Sequence, residues 1–386
     1  DDWSTMGSFM TSSDLGVPLV GEHYERVLPA FLGTIAGYFA AFVIYPLTGD
    51  YIGSLVTVNS IVLAMTILIS LIMVYTLLRY GLKANQVNSL FGVIYFVIAG
   101  FLLFKTTDSC TYLYWQYNVC TIYYYSVPSY LASAYIILLI MDRSFKTEEK
   151  EKRFVNKGFL GIAAYLLTFS FIPAATLVAV VAFWYLLDGF ILSKNIIKTV
   201  KRNGLYVAIL IFYCIALYME FGRTFGTGYF SADGDFLNGV KVSFKVIIES
   251  FLAIHPMRQI ISIAILLFFV IVWNIKRREE RIFNNDKKYN GIIFYLLRTV
   301  LSMFCFFILF GAVSLGHIVR DGMPLRMDSM YVFYFLVIFI ITICLVYLLE
   351  NSEKARICMP LILFLMLYPT ISPKYSYSES FYVDST

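Results

Sequence analysis

Charge is scarce in this chain. Asp, Glu, Lys and Arg together make up 14% of 386 residues, where a soluble domain carries about 25%. That shortage excludes an ordinary water-soluble fold of this length. With three histidines, six cysteines and no Cys-x-x-Cys pair, no zinc-type ligand set is readable. Glycine-rich phosphate loops and Walker patterns are also missing, which removes that kind of nucleotide site. Ionisable residues are almost absent from the middles of the apolar runs, which argues against a proton-coupled transporter. What is abundant is hydrophobic: 60% of all residues, with 35 Phe and 30 Tyr. The reading is an all-α polytopic membrane protein, with residues 1–386 forming a single transmembrane domain.

Apolar runs long enough to span a bilayer, about 17–25 residues each, are expected near 55–78, 87–104, 129–142, 158–172, 173–192, 205–220, 258–274, 292–315, 330–349 and 356–371. The stretch 158–192 holds two crossings, with the turn at Phe171-Ile172-Pro173. Lys and Arg are retained on the cytoplasmic side, and alternate loops are basic: Arg79 and Lys83, then 143–157, 193–203, 276–288, and Lys354 with Arg356. These five loops hold 20 of the 30 basic residues, the opposite set holds nine, and Arg298 lies inside a run. The net charge of +5 is therefore a topology signal, and no nucleic-acid partner is implied. On this parity both Asp1 and Thr386 face outward. With Asp1 outward, a first helix is expected upstream of it, giving about ten spans here and eleven with that helix.

One apolar segment breaks the alternation. Inserting 28–48 as a span would place Asp1 inside or invert every later basic loop. It is therefore expected as an outer-face helix within a first outer loop, residues 1–54, closed by Pro46 and Gly49. Gly33, Ala36, Gly37, Ala40 and Ala41 would allow close packing; the alternative is an ordinary span. A second interfacial helix is expected near 240–255, where apolar residues recur at helical spacing and Lys241, Lys245 and Glu249 take another face. It belongs to a second outer loop, 221–257.

Polar chemistry concentrates in the outer loops. The first opens with adjacent carboxylates, Asp1 and Asp2, followed by Asp14 and His23. Such a pair can act as general base on an acceptor hydroxyl while its neighbour positions that hydroxyl or binds a cation; equally, it can be solvated and cap a helix. The second loop carries Asp233-Gly234-Asp235, which lacks the Glu of a calcium loop at the required spacing, and Arg223 between glycines, which suits an anion or the membrane surface. Arg258 enters the next run. Segment 316–329 is the densest outer cluster. Its His317, Arg320 and Arg326 suit a phosphate, since Arg offers a fork of donors; Arg320–Asp321 and Arg326–Asp328 pairs are the alternative. In loop 105–128, Tyr114 and Trp115 can stack on sugar rings or belong to an interfacial aromatic belt. Cys110 and Cys120 lie outside, where a disulfide is permitted.

An outer loop opening on an Asp pair, outer-face interfacial helices, and spans in alternating basic-inside order resemble the GT-C superfamily of integral membrane glycosyltransferases, in particular bacterial Gtr-type and uncharacterised members. The resemblance covers the whole chain as architecture and about two residues as motif. It implies inverting sugar transfer on the extracytoplasmic face of a bacterial inner (plasma) membrane, from a polyprenyl-phosphate sugar to a glycan, lipid or protein acceptor at the cell surface. Asp1 or Asp2 would be the catalytic base. Arg320, Arg326 and His317, with Arg223 and Arg258 behind them, would hold the lipid phosphate. Asp14, His23, Asp233, Asp235, Tyr114 and Trp115 would contact acceptor or sugar. No cofactor is required, although Mg or Mn can assist. The rival is a transporter or flippase for a lipid-linked sugar or envelope polysaccharide precursor, which shares the lipid phosphate but not the need for an Asp base.

Overall fold

The structure, a computed structural model, describes residues 26–105, 122–145, 156–226, 236–252, 254, 256–278, 284–317 and 330–368. Among the described residues there is no β-strand. The helices are α1 Val27–Phe39, α2 Tyr45–Thr48, α3 Tyr51–Thr76, α4 Gln86–Lys105, α5 Val127–Phe145, α6 Lys157–Thr168, α7 Ile172–Ser193, α8 Ile196–Arg202, α9 Gly204–Gly226, α10 Phe236–Leu252, α11 Pro256–Arg278, α12 Asn284–His317, α13 Tyr331–Asn351 and α14 Glu353–Leu367. Wide π turns, which accompany functional or strained positions in helices, occur at Ala40–Ile44, Leu77–Gly81 and Ile122–Ser126.

Among the described residues seven helical segments are long and apolar enough to cross a membrane: Val27–Thr48, Tyr51–Gly81, Ile122–Arg143, Ile172–Ser193, Pro256–Arg278, Lys288–Val313 and Tyr331–Asn351. The chain is thus a membrane-embedded helical protein. The run expected at 205–220 belongs to a pair, Ile196–Arg202 and Gly204–Met219, bent by 92°. Asn203 sits at that bend, with its side chain turned back to the Thr199 carbonyl at 3.0 Å. The runs at 158–172 and 356–371 form helices of only 12 and 15 residues, the second containing Pro360. In the first, Thr168, Phe169 and Ser170 end the helix as a turn: the Ser170 hydroxyl donates back to the Leu167 carbonyl at 2.5 Å.

Local chemistry sets the breaks. Gly49 takes a left-handed φ of +70°, and the Asp50 carboxylate then caps α3 by accepting from the Gly53 N–H at 3.0 Å. The caps of α6, α8 and α14 are Asn156, Asn195 and Ser352, residue types that satisfy the orphan amides of a first turn.

The centre of the bundle is α13. From Tyr331 to Leu349 every residue but Val337 is buried, which is why its sequence shows no amphipathic stripe. Helices α4, α5, α7, α11, α12 and α14 all pack on it. Gly92 allows α4 in closest, because a Cβ there would lie 2.5 Å from Val346 Cγ2. At α10 the close approach is to backbone: a Cβ on Gly239 would meet the Ala312 carbonyl oxygen at 2.7 Å.

The two ends of the bundle differ in charge. At one end Arg79 donates to the Ala84 carbonyl at 2.7 Å, and Glu350 accepts from the Asn85 N–H and the Asn88 amide, each at 2.7 Å. Lys276 hydrogen-bonds Asn351, and Arg356 donates to the Leu349 carbonyl at 2.7 Å. Arg143 and Arg298 both reach Asp188. The described parts of the five basic loops therefore share one end.

The segment 27–48 packs along α3. Leu28 N–H donates to the Phe169 carbonyl at 3.1 Å, and Arg26 lies 4.9 Å from the Tyr124 ring centroid. Gly49 leads directly into the end of α3 remote from Arg79. By length and composition this segment is able to cross a membrane. The amphipathic helix expected near 240–255 is α10, and it runs antiparallel along α12. Gly239 lies against Ala312, and Phe244 against Phe304 with ring centroids 6.0 Å apart.

Candidate functional site

Opposite the basic end, the anchors of the polar loops meet through aromatic contacts. Arg26, within the first outer loop, stacks on Tyr124, and Tyr125 packs edge-on against Phe171 at 4.9 Å. Tyr130 meets Tyr331 at 4.6 Å, next to Met330 where the 316–329 segment ends. Tyr334 meets Phe251 at 5.1 Å, at the close of α10. Gln259 stands just beyond, donating to the carbonyls of Phe251 and Ile254 at 3.0 and 2.7 Å. Chain segments up to about 300 residues apart thus converge on one polar-aromatic rim, as helix packing around α13 requires.

Buried polar groups line the wall of this rim. Tyr123 donates to Asn59 at 2.8 Å, and Ser70 donates to the Tyr130 carbonyl at 2.7 Å. Ser126 and Ser129 bury hydroxyls that have no hydrogen-bond partner. Ser126 sits in the π turn Ile122–Ser126, and buried unpaired hydroxyls are uncommon enough to mark a place.

Of the candidate catalytic and binding residues named from the sequence, Arg258 is the one whose side chain is described. It is buried, and its Nε donates to the Met366 carbonyl at 3.5 Å, linking the start of α11 to the end of α14. Arg223 and His317 are carried on α9 and α12. Asp1, Asp2, Asp14, His23, Tyr114, Trp115, Cys110, Cys120, Asp233, Asp235, Arg320 and Arg326 lie outside the described residues, as does the carboxylate pair that would hold a divalent ion.

The basic end contains a second arrangement. A cavity of about 400 Å³ is lined by Arg143, Lys288, Arg298, Asp188, Tyr185 and Tyr295 among others. Arg298 offers both terminal nitrogens to Asp188, at 3.0 Å to Oδ1 and 3.2 Å to Oδ2, and Arg143 approaches the same carboxylate at 3.6 Å. The guanidinium planes rest on rings: Arg143 lies 4.3 Å from the Tyr185 centroid, and Arg298 4.7 Å from Trp184. Tyr185 and Tyr295 stack at 4.8 Å, and Tyr295 donates to the Val181 carbonyl at 2.7 Å. Trp184 is held in turn by Ser302, at 3.1 Å. By sequence alone Asp188 and Arg298 read as charges near the cytoplasmic ends of their runs that can snorkel, and Arg143 and Lys288 as parts of the basic loops. The available clue was that Asp188 and Arg298 sit at similar depth from the same end of their runs.

These features define a polytopic helical membrane protein with a polar-aromatic rim at one end and a charged inter-helix cavity at the other. No family model, curated protein or solved structure matches the chain.

Proposed function

We propose that the chain is a GT-C-like glycosyltransferase of the bacterial inner membrane that uses a polyprenyl-phosphate sugar on the extracytoplasmic face. The observation that supports this reading is the convergence of Arg26, Tyr124, Tyr331 and Phe251 on one rim, opposite every described basic loop. Loops that bear the Asp pair, the arginine cluster and the aromatic run all attach there. A donor with its tail in the bilayer and its phosphate at the surface would meet all three at that level.

In this reading Asp1 or Asp2 takes the proton of the acceptor hydroxyl, and the freed oxygen attacks the anomeric carbon. The bond from that carbon to the phosphate oxygen breaks with inversion, and polyprenyl phosphate leaves. Arg320 and Arg326, with His317, Arg223 and Arg258 in support, neutralise the departing phosphate. Mg or Mn would serve the same charge and is not needed for it. The acceptor is a glycan, lipid or protein at the cell surface, contacted by Asp14, His23, Asp233, Asp235, Tyr114 and Trp115.

The test is sugar transfer by the full chain in liposomes loaded with a polyprenyl-phosphate hexose. Asp1→Asn and Asp2→Asn are expected to include one that abolishes transfer while donor binding persists. Unchanged turnover in both variants overturns the reading.

A flippase for a lipid-linked sugar is the second reading, and the ion cluster of Arg143, Asp188 and Arg298 between helices favours it, since intramembrane charges commonly mark translocation paths. Under that reading Asp188→Asn stops donor movement across the bilayer, whereas both Asp pair variants remain active.

A further inference from the structure

The cavity at the basic end lies away from the rim and is independent of the glycosyltransferase reading. Its volume, about 400 Å³, falls within the range of about 300–1,000 Å³ found for small-molecule sites. Among its lining side chains are two arginines, Arg143 and Arg298, that share one carboxylate, Asp188. Arg298 occupies Asp188 with two hydrogen bonds. Arg143 is left with a 3.6 Å ion contact to that carboxylate and one bond of 3.5 Å to the Tyr185 carbonyl. Most of its five-donor fork is therefore unspent, while Tyr185 holds its plane in place at 4.3 Å. Arg298 likewise keeps its Nε buried and without a partner.

Cations oriented by aromatic faces, in excess of their carboxylate, are the chemistry that recognises a phosphate. The surroundings indicate how such a group would arrive. Phe294, Leu297 and Leu301 extend from the cavity along α12 and are exposed by 59%, 50% and 63%. An acyl chain lying on that strip would bring its headgroup to Arg143. Basic pockets between membrane helices on the cytoplasmic side bind anionic headgroups in this manner. Gly291 is part of the cavity lining, and a Cβ there would project into open space with nothing within 4 Å.

We propose that this cavity binds a phosphate group, supplied by an anionic membrane lipid or by soluble phosphate, with Arg143 and Arg298 as its donors and the α12 strip as the bed for the chain. The test uses the full chain purified in detergent, with thermal unfolding and native mass spectrometry as readouts. Phosphatidylglycerol, phosphatidylcholine and inorganic phosphate are titrated separately. Saturable stabilisation by phosphatidylglycerol over phosphatidylcholine identifies a lipid source, and the same saturation by inorganic phosphate identifies a soluble one.

In either case Arg143→Gln weakens binding at least tenfold, Arg143→Lys retains more of it, and Gly291→Phe blocks it with every charge in place. Gly291→Phe also covers the event that Arg143→Gln fails to fold. Equal anion response in wild type and Gly291→Phe, or no anion response in the wild type, overturns the proposal.

Discussion

Arg298 on α12 and Asp188 on α7 are joined by two hydrogen bonds, 3.0 and 3.2 Å long, across 110 residues of sequence. Asp188 also serves Arg143, so the two arginines do not depend on it equally. Asp188→Asn leaves two guanidinium groups facing one another, whereas Arg298→Gln leaves the carboxylate with Arg143 still beside it. Thermal unfolding in detergent should therefore show the larger loss for Asp188→Asn. The double variant should recover part of it, with a coupling of about 1–3 kcal/mol. Strict additivity would mean that the pair contributes nothing.

The approach of α10 to α12 rests on a missing side chain. Gly239→Ala would push a methyl to 2.7 Å from the Ala312 carbonyl oxygen and 3.0 Å from its Cα. Backbone cannot yield as a side chain can, so overpacking of about 1–3 kcal/mol should exceed the gain of about 1 kcal/mol in helix propensity. Gly161→Ala is the control, because nothing lies within 4 Å there. A lower melting temperature for the first and an equal or higher one for the second is expected.

Lys194 ends α7 in the left-handed region at φ 51°, with its N–H bonded to the Phe190 carbonyl at 2.7 Å. A residue with a Cβ pays about 1–2 kcal/mol for that conformation, and glycine is the usual occupant of such a cap. Lys194→Gly should raise stability by up to about 1 kcal/mol once glycine's greater freedom in the unfolded chain is counted. A fall in melting temperature would show that the lysine head makes a stabilising contact that outweighs the strain.

The two ends of the bundle can be assigned to sides of the membrane. In a background without native cysteines, Lys83→Cys and Lys194→Cys at the basic end should react with an impermeant maleimide from one side only. Asn238→Cys and Tyr368→Cys at the opposite end should react only from the other. Labelling of both pairs from the same side would break the topology on which the proposed function stands.

Much of the helical layout is legible in the amino acids. Ile172–Ser193 is announced by Pro173 at its start and by continuous apolar residues, and Gly49 with Asp50 marks the hinge before α3. The role of α13 is not legible, because an all-round apolar helix reads the same whether lipid or protein surrounds it. The course of α10 is hidden for a related reason. Its apolar face fits a bilayer surface as well as it fits α12, and the contacts of Gly239 with Ala312 and Phe244 with Phe304 distinguish them. The candidate site divides in the same way. Arg258 is a visible charge, but its burial against Met366 depends on a helix more than a hundred residues away. The Arg143–Asp188–Arg298 cluster needs three helices in register before any of those charges has a meaning beyond sidedness.

The burial of α13 on every side carries a consequence for biogenesis. Its neighbours α4, α5 and α7 leave the ribosome well before it, and synthesis proceeds at about 5–20 residues per second. For tens of seconds those helices stand in the bilayer around a place that has no occupant. Their inner faces then meet lipid, other nascent helices or an insertase. A chain truncated before Tyr331 would remain in that condition and be a ready target for membrane proteases. The late arrival of a single helix closes the bundle and separates a finished protein from a degradable one.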